Sequence, residues 1–89
     1  MDSRVKKAVL SKIDEAIEKA GEIGEIRQSL DVAVSSPQDF ALGIAVGRIY
    51  NSFHYQTRRA LGRNATPEEF AEFLEILSGR MAGLRRACQ

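Results

Sequence analysis

The sequence predicts an all-α fold, an antiparallel three-helix bundle with a long first helix, completed by dimerisation. Three observations carry that reading. Apolar residues recur with helical period in three long stretches, two proline-containing boxes mark helix starts, and the connections between stretches are short. With 89 residues, the whole chain, 1–89, reads as one helical domain. A chain of this size buries about 60–65% of its unfolded surface, so its core is thin unless a second copy adds to it.

The first helix starts near Asp2 or Ser3. Val5, Val9, Ile13, Ala16, Ala20, Ile23, Leu30 and Val34 follow a spacing of about 3.5 residues, the period of left-handed bundle packing. The expected helix covers residues 3–34. Gly21 and Gly24 lie off the apolar stripe, yet each costs about 1 kcal/mol in a helix interior. The alternative is therefore two helices broken at residues 21–24.

Ser36-Pro37-Gln38-Asp39 opens the second helix: a hydroxyl to cap it, proline where the amide has no intrahelical partner, and an acid near the positive helix end. This helix is expected over 37–61, with Arg58 and Arg59 in its last turns and Gly62 as the stop. Arg63-Asn64-Ala65 leads into Thr66-Pro67-Glu68-Glu69, which has the same grammar and a Glu69 able to reach back to the Thr66 amide. The third helix then covers 67–87. Phe70, Phe73, Leu74, Leu77, Met81, Leu84 and Cys88 form its apolar stripe. Glutamates fill its first half and Arg80, Arg85 and Arg86 its second, in the sense the helix dipole favours.

The second helix has two faces. Leu42, Ala45, Val46, Ile49, Phe53 and Ala60 make an ordinary core side. On the opposite side stand Phe40, Gly43, Ile44, Gly47, Asn51, His54 and Tyr55, where a helix packed only into a monomer would carry charge. Glycine inside a helix is destabilising unless another backbone approaches it. These seven residues are the expected interface of a homodimer, with a two-fold axis near Gly47.

Composition narrows the chemistry. A net charge of +1 gives no global pull toward nucleic acid or an acidic membrane. One cysteine excludes an internal disulfide framework and a cysteine-based zinc cluster, and one histidine excludes a multi-histidine metal site. The longest uncharged run, Ile49 to Thr57, is far short of a membrane span, and the N-terminal segment does not read as a secretory signal. A soluble, cytoplasmic domain is expected. No Ser, Cys or Asp stands at helical spacing from His54 to form a relay, and no Glu-x-x-His pair occurs among Glu68, Glu69, Glu72 and Glu75. The sequence thus assigns no catalytic, cofactor-binding or metal residue.

Arg48 followed six residues later by His54 resembles the arginine-then-histidine spacing of HEPN-type ribonucleases, helical proteins that place this pair at a dimer interface. The resemblance implies an enzyme; it covers two residues, and a regular helix sets them about 120° apart. Leu61 to Ala71 resembles a turn between helices in bacterial sigma factors, where a Leu-Gly-Arg stop precedes a Thr-x-Glu-Glu helix start. A generic helix stop followed by a capping box accounts for the same residues.

The expected function is that of a small assembly or protein-interaction module that self-associates. The alternative is a nucleic-acid-binding protein whose phosphate contacts are Arg48, Arg58, Arg59 and Arg63, since residues 35–66 carry four arginines against one aspartate.

Overall fold

Asp2 caps the first helix, its carboxylate accepting from the Arg4 and Val5 amides at 2.8 and 3.3 Å. The computed structural model describes residues 1–30 and 33–89. Among these there are four helices and no strand: α1 Ser3–Glu18, α2 Ala20–Ser29, α3 Pro37–Leu61 and α4 Pro67–Ala87. The all-α class is as the sequence predicts. The number of helices is not.

The expected single helix over 3–34 is two. It breaks at Lys19, ahead of the glycines, where the backbone turns to φ −99°, ψ 19° and the Lys19 carbonyl accepts from the Glu22 amide three residues on, at 3.0 Å. That tight turn interrupts the helical ladder at one residue. Gly21 and Gly24 lie inside α2, and a Cβ at either would meet nothing within 4 Å. α2 then ends at Ser29, short of Val34, after burying one side chain, Ile23. Two glycines and so little tertiary packing leave a helix of ten residues with nothing to extend it. Asp31 and Val32 lie outside the described residues.

The other helix ends follow the capping grammar. The Ser36 hydroxyl accepts from the Asp39 amide at 3.2 Å, and Gly62, at φ 68°, closes α3 by donating its amide to the Arg58 carbonyl at 2.9 Å. Thr66 and Glu69 form a complete reciprocal box: the Glu69 amide donates to the Thr66 hydroxyl at 3.2 Å, and the Thr66 amide to a Glu69 carboxylate oxygen at 2.8 Å.

Contacts between helices set their directions. The N-terminal amine pairs with Glu72, Arg80 pairs with Asp14, and Arg4 donates to the Ala60 carbonyl at 3.3 Å. α1 therefore runs alongside α4 in the same sense, and α3 runs opposite to both. The 25 residues of α3, about 37 Å of helix, match the long dimension of a body 39 × 22 × 21 Å.

Val5, Val9, Ile13, Ala16 and Ile23 meet Ala41, Ala45, Ile49 and Phe53 of α3, Phe73, Leu77 and Leu84 of α4, and its C-cap Cys88 in one buried cluster. Phe53 and Phe73 stack face to face, ring centres 4.4 Å apart, at its middle. Thr57, also buried, satisfies its hydroxyl by donating to the Phe53 carbonyl at 2.8 Å.

Two stripes are shifted from expectation. On α3 the buried row is Ala41, Ala45, Ile49, Phe53 and Thr57, with Leu42, Val46 and Ala60 only half-buried. A spacing of four turns this row by about 40° at each step, so the buried side winds around the helix. On α4, Phe70 and Leu74 remain 36% and 46% exposed, because the helix turns its Gly83 side toward Ile17 of α1.

Candidate interaction surfaces on α3

Because the buried row of α3 winds, so does the side left open. The seven residues expected on one face fall into three environments. Phe40 and Ile44 are half-buried, and Ile44 packs against the core cluster. His54 lies on the edge toward α4, beside Phe70; Gly43 and Gly47 share its side of α3 by helical spacing, and a Cβ at either would meet nothing within 4 Å. Asn51 and Tyr55 line a groove on the other edge, between α3 and α1.

The α4 edge carries an apolar surface that the sequence reading missed. Tyr50, 44% exposed, packs edge-on to His54 at 4.7 Å and reaches Phe70 at 6.4 Å. His54 lies nearly parallel to Phe70, ring centres 6.4 Å apart, and Leu74 stands one turn beyond Phe70 on α4. Tyr50, His54, Phe70 and Leu74 thus continue the line of Gly43 and Gly47 across two helices. Tyr50 was assigned to neither face of α3, although a helical wheel sets it about 20° from Gly43, and Phe70 and Leu74 read as core; for those two the signal was an apolar stripe too wide for the contact available.

The α1 edge is polar. Lys12, Arg48, Asn51, Ser52, Tyr55 and Gln56 line an open groove of about 420 Å³. Arg48 reaches across it to Glu15 at 3.3 Å. Arg48 and His54 therefore belong to different sides of α3, and the structure does not bring this pair together.

Of the four arginines expected to contact phosphate, two are engaged. Arg48 pairs with Glu15, and Arg63 grips Glu69 at 2.8 and 3.3 Å. The Arg63 guanidinium and the Thr66 amide hold the Glu69 carboxyl down to about 2, so Arg63 helps to close the α4 cap. Arg58 and Arg59 are exposed and have no ion-pair partner among the described residues.

Cys88 is buried and burial pushes its thiol up, the behaviour of a small hydrophobe rather than a nucleophile. Among the described residues no three His, Cys, Asp or Glu side chains converge as a metal-ligand set, and no helix is long and apolar enough to cross a membrane. Comparison with protein-family models, curated proteins and solved structures finds no match for the chain.

Proposed function

We propose that this chain is a helical assembly module that self-associates as a homodimer through the α4 edge of α3. The observation that supports it most is the surface of Gly43, Gly47, Tyr50, His54, Phe70 and Leu74, apolar or small for most of its length, with Gly43, Tyr50, Phe70 and Leu74 exposed and Gly47 and His54 half-buried. Two glycines one turn apart give a partner helix room to approach, and the exposed aromatic and leucine side chains supply area to bury. Phe40 and Ile44 flank this surface, and Asn51 and Tyr55 lie beyond its far edge. A two-fold axis near Gly47 sets the patch against itself, the commonest arrangement for small oligomers.

Light scattering on the unmodified protein and on Leu74→Glu tests this reading. The expected result is a dimer mass for the first and a folded monomer for the second. A monomer at every concentration of the unmodified chain rejects it.

A further inference from the structure

The polar groove on the other edge of α3 has an imbalance of charge. Glu15 faces three cations at once: Arg48 at 3.3 Å, Lys12 at 3.4 Å and Lys19 at 3.8 Å. Lys12 and Arg48 line the groove itself, so two cations face one carboxylate there, an excess of one positive charge. These cations, Lys12 foremost through its hydrogen bond, hold the Glu15 carboxyl below the usual carboxylate range.

The walls carry donors and no acid. Each of Lys12, Arg48, Asn51, Ser52, Tyr55 and Gln56 has an N–H or O–H to give. The groove continues into a smaller recess of about 190 Å³ beside Ala8 and Ser11, where Glu15 is the one acid in the lining. No Asp or Glu occurs in residues 40–61. Within that stretch Arg48, Ser52, Tyr55 and Arg59 follow at i, i+4, i+7 and i+11, a single stripe about 16 Å long. A basic, polar, aromatic, basic order of that length suits a short run of backbone rather than a lone ion. Tyr55, 55% exposed, offers a ring face on which a base can stack.

We propose that the groove between α1 and α3 binds a single strand of nucleic acid, with Lys12 and Arg48 on one phosphate, Tyr55 stacked on a base and Arg59 on a phosphate further along. An unpaired strand fits because its bases are free to stack, whereas those of a duplex are not. This site lies on the opposite edge of α3 from the self-association surface and does not depend on it.

Fluorescence anisotropy with a labelled oligouridine of about 12 nucleotides tests the proposal. Neutralising two phosphates gives a log–log salt slope of about −1.4, hence roughly 7-fold weaker binding between about 50 and 200 mM salt. Arg59→Gln, which removes the one cation on its phosphate, should weaken binding and make the slope shallower by about 0.7. Tyr55→Ala should weaken binding about fivefold or more and leave the slope unchanged, which separates stacking from charge. Thermal melts by circular dichroism confirm that both variants are folded. Absence of binding by the unmodified chain at about 50 mM salt overturns the proposal. So does retention of full affinity by both folded variants. Uridine monophosphate that competes as well as the strand does would make this a mononucleotide pocket and equally overturn it.

Discussion

α4 begins on a reciprocal Thr66–Glu69 cap and buries Phe73, Leu77 and Leu84, with its C-cap Cys88 buried as well, whereas α2 begins at Lys19 with no side-chain cap and buries Ile23. α4 is continuous for 21 residues; α2 stops after ten, leaving Ile26 and Leu30 41% and 69% exposed. Both read as helix from their apolar spacing. What separates them is how many side chains each sets into the shared core, since packing rather than propensity supplies most helical stability in proteins.

The largest effect that would sharpen this contrast is expected in the α4 core. Phe73→Ala removes one ring of the buried stack with Phe53 and should cost about 3–5 kcal/mol, read from the urea midpoint. Ile26→Ala on α2 should shift the same midpoint by no more than about 0.5 kcal/mol, because that side chain is already exposed. Equal losses from the two would break the comparison.

The caps come next. Thr66→Ala removes the acceptor for the Glu69 amide and should cost about 1 kcal/mol. A melt that does not move would show that Pro67 and Arg63 hold the start of α4 without it.

Gly24→Ala should act in the other direction and by less, stabilising by about 0.5–1 kcal/mol through reduced freedom of the unfolded chain. The position is helical and an added Cβ meets nothing within 4 Å. A loss of stability would mean that α2 is held in a conformation alanine does not accept.

The mildest test is acid. Arg4 holds the Asp2 carboxyl down to about 2 from 3.8, and Arg63 with the Thr66 amide holds Glu69 down to about 2 from 4.5. Both values fall on folding, so the stability they contribute is present above about pH 4.5 and is lost as the pH drops toward 2. Glu69→Gln should flatten the stability profile in that window and leave its upper side unchanged in shape. A profile as steep as that of the unmodified chain would remove Glu69 from this account.

The same contrast explains what could be read in advance. Ser36, Gly62, Thr66 and Glu69 act within four residues of themselves, so their roles are written in local sequence and the structure bears them out. The break at Lys19 carries no such mark, since lysine is a good helix former and Gly21 and Gly24 looked the better breakers. The surfaces of α3 were harder still. A helical wheel treats a 25-residue helix as having one inside, but the row from Ala41 to Thr57 turns as it goes. Residues assigned to one open face, such as Gly47 and Tyr55, therefore end on different edges, and Tyr50 emerges beside Phe70. That winding depends on how α1, α2 and α4 share the sides of α3, which is a property of the packed bundle.

The central claim is that the chain pairs with its own copy along α3. Its most direct test is an isotope-filtered NMR experiment on a mixture of labelled and unlabelled protein, which detects only contacts between protomers. The account predicts intermolecular contacts from Tyr50, Phe70 and Leu74 to the Gly43–Gly47 stretch of the partner, lost in Gly47→Ala and Gly47→Leu; an added Cβ at Gly47 meets nothing within 4 Å of its own chain. Intermolecular contacts confined to Ile26 and Leu30 of α2, or none at any concentration, would contradict it.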